Sequence, residues 1–220
     1  MRRMFGDLHA GRLCGVHRRP SKSGEPGTSG DEMDELTRLA VDARHGDPSV
    51  MASFIRATQR EVYSMCAYLV DEDTAEDLTQ ETYLRIFRAL PDFRKESSAR
   101  TWLLSITRRV CRDELRHRRR GATLIPRFSS VSNTERPGPS ADDDQAEIRE
   151  LLRQLPEDHR SAFVLTQILR LSYADAEEIC RCPPGTIGTR VARARGDLNQ
   201  ALERRAARRT EIEARPDATD

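Results

Sequence analysis

Three arginines on one predicted helix are the side chains in this sequence best suited to bind a polyanion. Arg190, Arg193 and Arg195 lie off an apolar stripe that includes Ile187 and Val191. Guanidinium groups donate paired hydrogen bonds to phosphates and to the edges of guanines. For most basic helices the simpler interpretation, a solvated arginine face, is correct. The segment that precedes this helix favours DNA reading.

That segment predicts a short helix, a tight turn and then the arginine helix. Ser172 and Asp175 have the spacing that caps a helix start, and the apolar period ends near Cys180. Pro183 and Pro184 suit a turn into the next helix. The pattern is that of a helix-turn-helix, whose second helix enters the major groove.

A second basic cluster runs from Arg108 to Arg120, at the end of a helix whose apolar side includes Trp102, Leu103 and Val110. Cations at a helix C-terminus are locally favourable, which is the structural explanation. So many arginines repel one another unless a polyanion neutralises them, so we expect a face that binds phosphates.

Metal and enzyme chemistry are not indicated. The cysteines have no framework spacing, and Cys180 and Cys182 with His159 lack a second cysteine pair, so we expect reduced thiols, no metal and no cofactor. There is no P-loop, G-x-G-x-x-G or H-E-x-x-H, which predicts a protein that is not an enzyme and has no small-molecule substrate. We find no apolar run long enough for a membrane span and no signal peptide, so we expect a cytoplasmic protein without membrane contact.

The composition predicts an all-α fold of two small helical domains joined by a flexible linker, the C-terminal one a helix-turn-helix. The chain of 220 residues is 33% charged and 5% aromatic, and its net charge of +1 hides segregated basic and acidic runs. The expected parts are a disordered N-terminal extension (1–32), a first domain (33–120), a linker (121–145), the helix-turn-helix domain (146–209) and a disordered tail (210–220).

Several signals predict where the helices of these domains begin and end. Asp47-Pro48 opens one helix, and the D-x-x-E spacing from Asp73 opens the next. Ser97 or Ser98 can cap the arginine-rich helix, and Pro156 breaks the chain between two later helices.

With these motifs in view, the chain resembles the extracytoplasmic-function (ECF) sigma factors of bacterial RNA polymerase. The matching stretches are AEDLTQETYLRIF, SSARTWLLSITRRVCRDELR, LPEDHRSAFVLTQILRLSYADA and PPGTIGTRVARAR. The resemblance implies an alternative sigma factor that binds core polymerase, directs it to promoters through their −10 and −35 elements and assists strand opening. It also implies an anti-sigma factor as a further partner. The alternative is a helix-turn-helix regulator that acts without stable binding to core polymerase.

The resemblance also assigns candidate site residues by position. The residues that match the helix bound by the clamp coiled coil of the largest polymerase subunit are Asp77, Gln80, Glu81 and Leu84. The loop that receives a flipped −10 base corresponds to Phe93, Arg94, Lys95, Ser97 and Ser98, and the helix on −10 DNA carries Ser105, Arg109, Arg112 and Arg116. The candidates for −35 DNA are Thr186, Thr189, Arg190, Arg193 and Arg195. Trp102 is either core or a wedge, and its helical spacing favours core.

Three positions depart from the family pattern. Glu177 stands where a small residue is usual, Arg181 where a glycine is usual, and Gly188 where Lys or Arg is usual. We expect an ion pair between Glu177 and Arg181 to compensate in part. A contact to DNA is expected to be missing at Gly188.

Overall fold

The computed structural model describes residues 33–122 and 141–213, and within these ranges the chain is helical without strands. The first range contains helices α1 (Glu35–Ala43), α2 (Pro48–Leu69), α3 (Ala75–Ala89) and α4 (Ala99–Ala122), with a 3₁₀ turn at Leu90–Asp92. The second contains α5 (Ala141–Arg153), α6 (Glu157–Phe163), a π-helical turn (Val164–Ile168), α7 (Tyr173–Cys180) and α8 (Thr186–Glu213). The predicted all-α fold with two helical regions is confirmed.

Most of the predicted helix starts carry the expected caps. The Asp47 carboxylate accepts a hydrogen bond from the N–H of Ser49 at 2.8 Å, and Pro48 occupies the first helical position. Ser98, rather than Ser97, caps α4, since its hydroxyl accepts from the N–H of Thr101 at 3.1 Å. Each cap satisfies a backbone donor that the helix itself leaves unpaired.

The start of α3 differs from the prediction. Asp73 does not cap it, because α3 begins at Ala75 and Thr74 is its N-cap residue without a side-chain cap bond. Instead, the carboxylate of Asp71 accepts from the N–H of Thr74 at 2.9 Å and pairs with Arg118 of α4. Asp71 therefore fixes the turn before α3 and joins it to α4, and the D-x-x-E spacing placed the acidic residue two positions too late.

Helices also extend into segments that the sequence assigned to the linker and the tail. Helix α4 continues through Ala122, α5 begins at Ala141, and α8 continues to Glu213. The helices therefore include residues 121–122 and 141–145 of the predicted linker and residues 210–213 of the predicted tail. The remaining parts of the predicted extension, linker and tail lie outside the described residues.

The core of the first region lies where α2, α3 and α4 meet, with α1 packed against α2. Its largest fully buried side chains include Phe54, Met65, Ile86 and Leu103. The thiols of Cys66 and Cys111 lie 3.8 Å apart in this core, as expected for cysteines that act as small hydrophobes. The hydrogen bond to Cys66, together with burial, raises the pKa of the Cys111 thiol.

The core of the second region lies between α6, α7 and α8. Leu165 of the π-helical turn and Ile187 of α8 are fully buried there, while Ile179 of α7 and Val191 of α8 are nearly so. This packing orients α8 so that its apolar stripe faces inward, and the arginines between those residues are left on the outer side.

Candidate nucleic-acid interface

The turn of the helix-turn-helix is built by two residues in left-handed backbone conformation. Helix α7 begins at the Ser172 cap, whose hydroxyl accepts from the N–H of Asp175 at 3.1 Å, and ends at Arg181 with φ of 52°. Gly185, just before α8, has φ of 81°. Glycine adopts this region at no steric cost, whereas an arginine there is strained, which is why a glycine is usual at the position of Arg181.

The predicted ion pair between Glu177 and Arg181 is replaced by a different contact. The Glu177 carboxylate accepts a hydrogen bond from the backbone N–H of Gly185 at 2.5 Å. Arg181 is exposed, and its side chain lines a cavity beside the loop before α4. Glu177 therefore spans the turn from the first helix to the start of the second.

The predicted −35 contacts lie along the outer side of α8. Thr189, Arg193 and Arg195 are exposed, and Thr186 is the first residue of the helix. Arg195 donates to the side-chain oxygen of Gln167 at 2.6 Å. Arg190 is half-buried and turns toward α6 instead of solvent.

Arg190 has this orientation because its guanidinium donates a hydrogen bond to the carboxylate of Asp158 at 2.9 Å. In this arrangement one of the three predicted −35 arginines is already paired within the protein. Among the predicted −35 residues, Thr189 and Arg193 are the exposed ones that lie nearest to Arg190 along α8.

The predicted −10 residues of α4 divide into exposed and paired side chains. Arg109 and Arg116 are exposed, as a phosphate-binding face requires. Arg112 is half-buried, and its Nε donates to Glu157 of α6 at 3.1 Å. Ser105 lies in the same helix, and its hydroxyl donates to the carbonyl of Trp102 at 2.7 Å.

The loop before α4 forms one side of a cavity of about 610 Å³. Its floor is aromatic, since the Phe93 and Trp102 rings pack with their centroids 5.0 Å apart. Phe93 is only 2% exposed, so it is a wall of the cavity and not a protruding side chain. Trp102 is half-buried, packs against Phe93 and also lines the cavity. The cavity brings together predicted residues from the loop and from α4, namely Phe93, Arg94, Ser97 and Ser105.

Two other predicted loop residues do not line this cavity. Lys95 is exposed, with a left-handed backbone at φ of 60°. Ser98 has its hydroxyl engaged in capping α4, with bonds to the N–H and hydroxyl of Thr101. We therefore assign Ser98 a structural role in addition to any contact with DNA.

The predicted partner face on α3 is an exposed strip with one large apolar residue. Asp77 and Gln80 are exposed, and Leu84 is 51% exposed, one helical turn further along the same side. The Glu81 carboxylate pairs with Arg85 at 2.8 Å, at the expected i,i+4 spacing. Hydrogen bonds to Asp113 and Glu81 raise the pKa of Arg85, so this cation persists at any physiological pH.

Sequence reasoning missed two carboxylates that matter for this interface, those of Glu157 and Asp158, and it placed Arg108 on the basic face of α4. Arg108 is 4% exposed, and its guanidinium donates to Asp158 at 3.3 Å. Asp158 and its neighbour Glu157 begin α6, where acidic residues are common because the helix dipole favours them. No spacing in the sequence relates them to Arg108 or Arg112, which lie about 50 positions earlier.

The described residues contain no group of three metal-ligating side chains. In the same part of the chain, no helix is long and apolar enough to cross a membrane.

Comparison with known families assigns the two helical regions. Residues 54–121 match the family model of Sigma-70 region 2, and residues 145–198 match that of Sigma-70, region 4. The ECF RNA polymerase sigma factor SigC of Mycobacterium tuberculosis is 44% identical over 173 residues, which are 78% of this chain and 92% of that protein. The ECF sigma factor EcfG of Rhodopseudomonas palustris is 38% identical over 130 residues, covering 59% of this chain and 72% of EcfG.

Solved structures agree with this assignment. The sigma factor RpoE of Bartonella quintana, in a co-crystal with the anti-sigma factor NepR, is 28% identical, with a TM-score of 0.60 over 69% of this chain and 96% of that one. CnrH, in complex with the cytosolic domain of CnrY, shares the fold at 22% identity and a TM-score of 0.60, over 77% of this chain and 98% of that one.

The helix-turn-helix and the exposed arginines of α4 are typical of a DNA-binding protein. This chain belongs to the ECF family of RNA polymerase sigma factors. It is an alternative sigma factor, and it directs RNA polymerase in transcription initiation. The alternative of a regulator that acts without polymerase leaves the match of residues 54–121 to region 2 unexplained.

Proposed function

We propose that this sigma factor binds core RNA polymerase through the α3 strip and reads the promoter with α4 and α8. The strip formed by Asp77, Gln80, Glu81 and Leu84 is the docking face for the clamp coiled coil of the largest subunit. Its exposed leucine carries this assignment, because a large apolar side chain flanked by polar groups is typical of a protein contact.

The −10 element is proposed to bind at α4 and at the cavity before it. Arg109 and Arg116 hold phosphates, and Arg94 beside the cavity attracts the displaced strand. A flipped base can stack against Trp102, and Ser97 and Ser105 supply hydroxyls to its edge. Unstacking a base costs a few kcal/mol, which such a pocket must return for strand opening to proceed.

The −35 element is proposed to bind along α8, with Arg193 and Arg195 at phosphates or guanines and Thr186 and Thr189 at the start of the helix. Asp158 of α6 holds Arg190, which becomes available to DNA only after α6 moves away. The protein works in the cytoplasm under the control of an anti-sigma factor, and the chemistry of RNA synthesis belongs to the polymerase. The comparison with RpoE bound to NepR supports the anti-sigma proposal.

Run-off transcription with purified core polymerase tests the proposal. The template is a library of randomised promoters, and the wild type is compared with Asp77→Ala/Glu81→Ala. We expect transcripts that share a −10 motif, and at least a tenfold loss of yield in the variant at limiting sigma factor. The matched control is Glu35→Ala/Asp42→Ala, which removes two exposed carboxylates of the same region that lie on α1 and not on the α3 strip. Equal yields from both variants would show that the strip is not the docking face.

A further inference from the structure

Two thiols face each other in the core of the first region, and the proposed promoter contacts do not use them. The sulfur atoms of Cys66 on α2 and Cys111 on α4 lie 3.8 Å apart, and both residues are fully buried. A disulfide needs a sulfur–sulfur distance of about 2.05 Å, so the gap to close is roughly 1.7 Å. Rotations of the two side chains within the core can close it.

The two thiols differ in how readily each loses its proton. The Cys111 thiol donates to the Cys66 sulfur. This hydrogen bond lowers the pKa of Cys66 more than burial raises it, and Thr79 and Thr82 of α3 lower it further. The same contact raises the pKa of Cys111. Because the thiolate is the reactive form of cysteine, Cys66 is the nucleophile of the pair, and Cys111 is the protonated thiol beside it.

A cavity of about 490 Å³ leads from the surface toward this pair. It lies between α2 and α3, and its lining includes the side chains of Ile55, Tyr63 and Tyr83. Thr79 lines the cavity as well, and it is also a neighbour of the Cys66 sulfur. Thr79 therefore connects the cavity to the buried thiol, and rotation of this one side chain gives a small solute a path to Cys66.

We propose that Cys66 and Cys111 are a reversible redox site, which small hydroperoxides convert to a disulfide. The Cys66 thiolate attacks the terminal oxygen of the hydroperoxide and the O–O bond breaks. Cys66 becomes a sulfenic acid, and the other oxygen leaves as an alcohol, or as water from hydrogen peroxide, with the proton that Cys66 lost.

In the second step Cys111 attacks the Cys66 sulfur. The S–S bond forms and the S–O bond breaks, and the hydroxide that leaves takes the Cys111 proton and becomes water. The two thiols lose two electrons, which the hydroperoxide gains. A dithiol reductant reverses the oxidation by thiol–disulfide exchange.

The disulfide joins α2 to α4 across a sequence separation of 45 positions that includes α3. A cross-link of this kind stabilises a fold mainly by constraining the unfolded chain. Because a close-packed core relaxes only in part, the shorter sulfur–sulfur distance also displaces α4. Arg109 and Arg112 flank Cys111 on this helix, so the proposed −10 contacts are displaced with it. This last effect rests on the proposed role of α4 at −10 DNA, whereas the disulfide itself does not.

Peptide mapping by mass spectrometry tests whether the disulfide forms. The full chain is treated with hydrogen peroxide, its remaining thiols are blocked in urea with iodoacetamide, and it is digested with trypsin without reductant. Cleavage at arginines places Cys66 in the peptide 61–85 and Cys111 in the peptide 110–112. We expect the two peptides to be joined and to separate with dithiothreitol. If they stay separate at a peroxide concentration that oxidises Cys182, whose thiol is only half-buried, the proposal is wrong.

Two alanine variants test the role of each thiol. Cys111→Ala removes the second thiol, so oxidation should stop at the sulfenic acid of Cys66, which dimedone traps as an adduct. Cys66→Ala should leave Cys111 unlabelled at the same dose of peroxide. Thermal melting shows that each variant is folded before it is treated. Equal labelling of the two variants would contradict the assignment of Cys66 as the nucleophile.

Melting and transcription measure the consequence. The oxidised wild type should melt about 5 to 10 °C higher than the reduced protein, and Cys111→Ala should show no such rise. In run-off transcription, with peroxide removed before core polymerase is added, we expect at least a threefold lower yield from the oxidised wild type. Dithiothreitol should restore the yield, and peroxide should leave that of Cys111→Ala unchanged.

The outcomes separate this inference from the proposed function. A disulfide with unchanged transcription would overturn the displacement of α4. Absence of transcription by the reduced wild type would overturn the proposed function, while the peptide map still decides whether the redox site exists.

Discussion

The carboxylate of Glu177 accepts a hydrogen bond from the backbone N–H of Gly185 at 2.5 Å, so the first helix of the helix-turn-helix directly holds the turn before the second. Family members with a small residue at this position lack that side chain. In this chain the contact fixes the direction in which α8 starts, and α8 carries the predicted −35 residues. The departure from the family pattern at Glu177 is therefore a structural element of the turn.

Replacing Glu177 should destabilise this turn. In Glu177→Ala the N–H of Gly185 loses its acceptor, and because this bond is exposed and water can replace it, the loss costs about 0.5 to 1 kcal/mol. We expect a lower midpoint of urea unfolding and weaker binding to a duplex that carries the −35 element. The binding of −10 DNA by α4 should be unchanged. Glu178→Ala, an exposed neighbour on the same helix, is the control for helix propensity and charge. Equal losses in the two variants would contradict a special role for Glu177.

Replacing Arg181 with glycine, the residue that is usual in the family, should stabilise the protein. Its φ of 52° is costly for a residue with a Cβ, so Arg181→Gly relieves roughly 1 kcal/mol of backbone strain. We expect a higher melting temperature by calorimetry. Arg181→Ala removes the same charge but keeps the Cβ, and it should show no gain. A melting temperature raised equally by alanine would assign the effect to charge.

Gly188 provides a gain-of-contact experiment on the recognition helix. A Cβ at this position would meet the Tyr173 ring at 3.6 Å, which is an ordinary contact, so an added Cβ fits without strain. Gly188→Arg should add a phosphate contact and steepen the salt dependence of −35 binding by about 1. Gly188→Ala should stabilise the helix by about 1 kcal/mol without changing that slope. An unchanged slope in the arginine variant would place this position away from DNA.

These residues also show what sequence reasoning can and cannot predict here. Local signals located the helices, because caps such as Asp47 and Ser172 and the apolar period act over a few residues. The start of α3 was misplaced, since Asp71 and Asp73 are both acidic and only the fold brings Arg118 beside Asp71.

The pairing of residues that lie far apart in the chain could not be predicted from the sequence, for the same reason. Asp158 has the position of an ordinary acidic residue in a first helical turn, and its pairing with Arg108 depends on how the two regions pack. The residues of the α3 strip and of α4 were predicted by position from the family resemblance. The structure exposes most of them, namely Asp77, Gln80, Leu84, Arg109 and Arg116.

Asp71 should make the free energy of unfolding depend on pH in the acidic range. Burial alone would raise the pKa of this carboxyl, but hydrogen bonds from Arg118 and Thr74 outweigh burial, so the pKa is lowered. Because the folded-state pKa lies below the unfolded value of about 3.9, the folded state binds fewer protons. The contribution of Asp71 is fully present above that value and is lost as the pH falls through the folded-state pKa.

Asp71→Asn keeps the shape of the side chain but removes the charge that Arg118 neutralises. We expect a loss of about 2 kcal/mol in the free energy of unfolding at pH 7, measured by urea titration, since hydrogen bonds to charged groups are worth roughly that much. The difference from wild type should shrink below about pH 4, where the wild-type carboxyl also becomes neutral. Asp73→Asn, an exposed neighbour outside this ion pair, should lie close to wild type throughout. A difference for Asp71→Asn that stays constant down to pH 2 would show that the charge on Asp71 does not stabilise the fold.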